Sequence, residues 1–152
     1  MTSQTLREAR KHEEAAEKII KKEDRPDFHL SVRTGWLNDP NGFSYYKGEY
    51  HLFYQYYPYE SKWGSMHWGH AVSKDLLHWE YLPAALAPDE VYDKDGCFSG
   101  SAIVLPDGRH LLMYQTIRRR YIPHQHRKLP LFSTLPDCLP ELTIPDVSYL
   151  TS

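Results

Sequence analysis

Cysteine is scarce: Cys97 and Cys138 are the only two among 152 residues. Two thiols cannot build a disulfide framework, and their spacing is not that of a zinc site. Reduced thiols in the cytoplasm are the expectation. Long apolar runs are lacking too. None approaches the roughly 20 residues needed to cross a bilayer as a helix, and the opening MTSQTLREARKHEEAAEKIIKK is charged throughout, without the apolar stretch of a secretory signal. Nor is there an excess of one charge. Eighteen basic residues face 20 acidic ones, for a net charge of −2, which gives no chain-wide field to attract nucleic acid or an anionic membrane. A small, neutral or polar molecule is the partner that fits.

Aromatic residues are plentiful instead: 12 Tyr, 4 Trp and 5 Phe. Only Phe28, Tyr121, Phe132 and Tyr149 lie outside residues 36–114. Such density suits a β-rich core or a surface on which sugar rings stack. The chain divides into three parts. Residues 1–27 read as a helix and a linker, with Leu6, Ala9, Ala16 and Ile20 near one face. That stripe is narrow, so a solvated helix on the surface of something larger is expected. Thr5 with Glu8 forms a possible capping box, although Thr2 or Ser3 would cap equally well.

The second part is 28–116, and from 42 to 116 the hydrophobic period is two, in short segments bounded by turn residues, which is antiparallel β patterning. Six strands are predicted: 43–46 and 50–56 around Lys47-Gly48, 66–73 and 77–82 around Ser73-Lys74-Asp75, and 97–105 with 109–116 around Pro106-Asp107-Gly108. Residues 83–88 read as a loop. In the second strand Tyr54 and Tyr56 alternate with Phe53 and Gln55, so both of its faces should be covered. A polar Gln55 on a covered face then needs a hydrogen-bond partner. Residues 117–152 hold five of the eleven prolines and no glycine, and read as an irregular tail of non-native origin.

Nine histidines invite a metal, but His67 and His70 fall on opposite faces of one strand and no helical HExxH or paired CxxC supports a site. No metal and no cofactor are expected. The stretch GWLNDPNGF, residues 35–43, is more specific. Asn38-Asp39-Pro40-Asn41-Gly42 is turn chemistry, and a turn is also a way to fix an acid. Retaining glycoside hydrolysis needs one carboxylate held as a nucleophile and a second carboxyl about 5–5.5 Å away as proton donor. Asp39 would be the first, with Trp36, Trp63 and Phe98 as apolar walls.

WLNDPNGF, YHLFYQYYP, WGSMHWGHAVSKDLLHWEYLPAALAP and DKDGCFSGSAIV, in that order, resemble the opening of glycoside hydrolase family 32, the invertase or β-fructofuranosidase family, and within it the bacterial sucrose-6-phosphate hydrolases. The resemblance implies an all-β fold, a five-bladed β-propeller of which about one and a half blades are present here, preceded by the N-terminal α-helix. It implies Asp39 as the nucleophile on the fructosyl anomeric carbon. Trp36, Leu37 and Asn38 would line the fructose pocket, Gln55 would bond the sugar, Trp63 would pack on it, and Phe98 and Ser99 would close it. The substrate would be sucrose, sucrose 6-phosphate or another β-fructoside. The family also carries an Arg-Asp-Pro motif and a later acid/base Glu, usually in Glu-Cys, and this sequence contains neither. A truncated chain without turnover of its own is therefore expected. The alternatives are a non-catalytic fructoside-binding module and a fragment with neither property.

Overall fold

The computed structural model describes residues 2–117 and 128–134 of the chain. They are mostly β-strand, with one N-terminal helix. Helix α1, Gln4–Glu17, starts at Ser3, whose Oγ accepts the Leu6 N–H at 3.1 Å, so Ser3 is the residue that caps it. A 3-10 turn at Lys22–Asp24 follows. The linker beyond it is tied down by Arg25, which donates to the carbonyls of Val32 (2.9 Å) and Arg33 (2.6 Å) and lies 5.1 Å from the Tyr81 ring. The chain thus reaches the first strand at a defined angle.

Strands β1 (Trp36–Tyr46), β2 (Glu49–Tyr57), β3 (His67–Ser73) and β4 (Glu80–Leu86) form an antiparallel sheet in chain order. Strands β5 (Gly100–Val104), β6 (His110–Ile117) and β7 (Lys128–Thr134) form a second. β4 starts at Glu80 where the sequence predicts 77, and β5 at Gly100 where it predicts 97; three larger differences stand beside these. Asn38–Gly42 is not a turn before the first strand but an interior part of β1. β4 runs through Pro83 to Leu86 instead of ending at 82. Pro83 is exposed on a strand that pairs on one side only, in the stretch where the register with β3 shifts between Trp68 and His70; a missing N–H is tolerated at such a place. Finally, the span expected to be irregular contains β7, whose backbone pairs with β6 from Leu111↔Thr134 to Ile117↔Lys128. Its Pro130 is again on an edge strand. Residues 118–127 and 135–152 of that span lie outside the described residues.

β2 is covered on both faces, as its alternation predicts. On one side Phe53 packs with Trp68, Ala85, Leu86, Cys97, Leu112 and Tyr114 between the two sheets. On the other, Tyr54 and Tyr56 pack with Leu6, Ala71, Ala84 and Ala87 beneath α1. Phe53 and Trp68 are fully buried, and each such side chain contributes about 1.5–3 kcal/mol from burial alone. A histidine group extends the inter-sheet layer. His70 stacks 4.2 Å from Phe53, His51 Nδ1 lies 3.0 Å from His70 Nε2, and His110 Nε2 lies 2.8 Å from Ser44 Oγ. His67 points the other way, toward the Ser65 carbonyl and the Tyr59 ring.

The helix is docked rather than solvated. Leu6, Ala9 and Glu13 are buried. Glu13 Oε2 accepts the Ala84 N–H at 3.0 Å, and Arg10 Nε donates to the Ala84 carbonyl at 3.0 Å. Since among the described residues β4 pairs only with β3, these two side chains satisfy edge groups that would otherwise be open to another strand. Burial pushes the Glu13 carboxyl above its usual range, while the Ala84 N–H and the Arg33 guanidinium pull it back down.

Candidate functional site

The motif that looks like a turn is two β-bulges. Leu37 pairs with Tyr56 and Pro40 with Tyr54, so Asn38 and Asp39 together oppose Gln55. Asn41 pairs with Phe53 and Ser44 with His51, so Gly42 and Phe43 together oppose Leu52. A bulge puts two residues where the ladder has room for one and re-aims the side chain it carries. Gly42 takes φ +52, and a Cβ there would stand 2.8 Å from the Phe53 ring and 3.2 Å from Ala102 Cβ. Glycine is therefore needed both for the backbone and for the approach of β1 to β5.

The first bulge leaves Asp39 exposed at the edge of the inter-sheet layer. Its Oδ2 accepts the Ser99 hydroxyl at 3.1 Å, across 60 residues of sequence. Asn41, 3% exposed, ties the same two segments together: its Nδ2 donates to the Asp39 carbonyl at 3.2 Å and its Oδ1 accepts the Gly100 N–H at 2.9 Å. The loop that delivers Ser99 is read by the first sheet through its carbonyls. Gln55 Nε2 donates to Cys97 O at 3.0 Å, and Trp68 Nε1 donates to Phe98 O at 3.1 Å.

Among the residues expected to form the site, Asp39 and Ser99 are in contact, and Gln55 and Phe98 join them through the loop backbone. Trp36 heads β1 opposite Tyr57, with exposed Asn38 between it and Asp39 in the chain. Trp63 is 60% exposed. Leu37 differs: its side chain packs against the Tyr54 and Tyr56 cluster on the far face of the sheet, because the residue before a bulge keeps the ordinary alternation. It supports the site from behind. The sequence alone does not single out Asn41 or Trp68. Asn41 stands inside the quoted motif, and its only signal was a second amide where one suffices for a turn. A cavity of about 400 Å³ lies between the β3–β4 turn and Glu49 and includes none of the expected residues.

Chemically, the arrangement presents an accessible carboxylate with one oxygen oriented by a hydroxyl, on a strand locked by buried hydrogen bonds. Residues 29–131 match the model of the glycosyl hydrolases family 32 N-terminal domain. The sucrose-6-phosphate hydrolase of Zymomonas mobilis is 60% identical over 89 residues, which are 59% of this chain and 17% of that protein. The levanase of Bacillus subtilis is 60% identical over 92 residues, 60% of this chain and 13% of that protein. The chain therefore spans about a sixth or less of the curated relatives it matches. A mutant Bombyx mori family 32 β-fructofuranosidase, solved in complex with sucrose, superposes with a TM-score of 0.70 at 41% identity, over 88% of this chain and 28% of that one. With the family model covering residues 29–131, this chain belongs to glycosyl hydrolases family 32, whose N-terminal domain it shares.

Proposed function

We propose that the chain supplies the nucleophile half of a retaining β-fructofuranosidase site acting on sucrose or sucrose 6-phosphate. The observation that carries this is Asp39: an accessible carboxylate set by a bulge and oriented by Ser99 Oγ at 3.1 Å. In the reaction, an Asp39 oxygen bonds to the fructosyl anomeric carbon as the glycosidic C–O bond breaks, and the departing oxygen takes a proton from a second carboxyl group. Water then cleaves the fructosyl ester and the same second group receives its proton. Ser99 and the Asn41 bridge hold the carboxylate in its attack position, which is the positioning role such groups play in covalent catalysis. The proton donor expected from the family's Glu-Cys motif has no counterpart in this sequence. The reading is therefore of the sugar-recognising, nucleophile-bearing part of a site on a five-bladed propeller. The names of the relatives and the sucrose complex support the sugar class.

Titrating the chain with fructose, sucrose and glucose while recording amide NMR shifts tests this reading. Fructose and sucrose should move the Asn41, Phe98 and Gly100 signals, glucose should not, and Asp39→Asn or Trp63→Ala should weaken the response several-fold. A response equal for fructose and glucose, or none, overturns the assignment of the site. Release of glucose from sucrose should stay at background. Turnover at the rate of a full-length relative, abolished by Asp39→Ala, would overturn the half-site reading.

A further inference from the structure

Residues 87–99, between β4 and β5, carry Phe98 and Ser99 to the site without helix or strand of their own. One carboxylate is sealed beneath this loop. Asp93 is 1% exposed, although it sits among Asp89, Glu90, Lys94 and Asp95, where a solvated acid would be the ordinary expectation. Burying an acid is costly unless donors surround it. Asp93 Oδ2 accepts the Tyr114 hydroxyl at 2.7 Å and faces the Cys97 thiol at 3.8 Å, and its Oδ1 accepts the Glu90 N–H at 2.8 Å. Its own carbonyl accepts the Gly96 N–H at 2.7 Å.

The partner Tyr114 is on β6, the strand that receives the end of the loop. Gly100 pairs with Tyr114, the Phe98 N–H donates to Gln115 O at 2.8 Å, and the Gln115 N–H donates to Ser99 O at 3.3 Å. We propose that Asp93 is a positioning residue: by clamping the loop to Tyr114 it sets the height at which Ser99 emerges, and so the contact of Ser99 Oγ with Asp39 Oδ2. Its functional consequence rests on the reading of Asp39 and Ser99 as the sugar site; the clamp itself does not. Burial, which pushes the Asp93 carboxyl up, and the Tyr114 hydroxyl, which pulls it down, oppose each other there.

Amide hydrogen exchange and fructose affinity, measured on the full chain with Asp93→Asn, Asp93→Ala and Tyr114→Phe, test the clamp. The Cys97, Phe98 and Gly100 amides report the loop, each being hydrogen-bonded, and the β2 amides report the rest of the fold. Asp93→Ala and Tyr114→Phe should speed exchange at the three loop amides tenfold or more relative to β2. Asp93→Asn, which still accepts from Tyr114, should fall between them and the unmodified chain. Equal acceleration in the loop and in β2 means that Asp93 contributes stability only, and overturns the proposal; so does no acceleration. If Asp93→Ala does not fold, Tyr114→Phe and Asp93→Asn decide the matter. In the sugar arm, Ser99→Ala and Asp93→Ala should weaken fructose binding by similar factors, with the double variant no weaker than either. Loop-specific exchange in a chain that binds no fructose keeps the clamp and rejects the sugar reading. Fructose binding untouched by Asp93→Ala rejects the clamp's role.

Discussion

Asn41 does with one buried amide what several exposed residues could not. It bonds the Asp39 carbonyl and the Gly100 N–H at once, so the distance between β1 and the loop is fixed by a rigid planar group. Asn41→Ala leaves both partners short of a bond, and the cost should be about 1–3 kcal/mol in urea unfolding; the Gly100 amide should lose its protection in the same variant. Gly69 makes a different demand. The Tyr54 ring lies flat on it, and a Cβ there would be 2.1 Å from the ring. Gly69→Ala should destabilise by about 1–3 kcal/mol through overpacking, and Tyr54→Leu in the same chain should recover part of that loss. Tyr54 and Phe53 could be assigned to opposite faces from the sequence, because a period of two is written in residue types. Asn41 could not be assigned, since one amide in a turn and one amide in a core look the same until the partner strand is known.

Elements were legible where a single pattern ruled them, and illegible where two competed. β2 and β3 follow their alternation and were found close to their predicted bounds. β1 was cut short because Asp-Pro-Asn-Gly is turn chemistry, and the same residues serve equally well to seat two bulges. β4 and β7 were cut or missed because proline argues against a strand, which holds for an interior strand and fails at an edge. Helix α1 reads as solvated because its apolar stripe is narrow. In the fold Glu13 is the docking residue, since its partner is a backbone N–H that no periodicity reveals. Glu13→Ala should cost about 1–3 kcal/mol by leaving the Ala84 N–H buried without an acceptor. Glu13→Gln, which keeps an acceptor oxygen, should cost less. With Ala84 uncovered, β4 becomes an open edge, and light scattering at rising concentration should show Glu13→Ala associating before Glu13→Gln does.

Acid sensitivity gathers contributions from both faces of the first sheet, since His70 and His110 lie in the inter-sheet layer and His67 faces the other way. Burial holds His70 down at about 3 and His67 and His110 at about 4, against about 6.5 in the unfolded chain. The folded state thus binds fewer protons between those values. The stability these histidines confer is complete above pH 6.5 and is lost as pH falls toward 4 and then 3, each contributing up to about 1.4 kcal/mol per pH unit. Glu13 and Asp93, whose carboxyls burial raises, act in the opposite sense and offset part of the loss at the acid end. The urea midpoint should fall between pH 6.5 and 4.5; a midpoint constant over that range would contradict the burial of the histidines. The anchorage of the loop also bears on how such a site changes over generations. Gln55 and Trp68 grip the loop by the carbonyls of Cys97 and Phe98, and every amino acid brings a carbonyl. Cys97 is fully buried in the core, but position 98 can exchange its side chain, altering what this edge of the inter-sheet layer presents, while the anchorage that holds the loop in place is inherited unchanged.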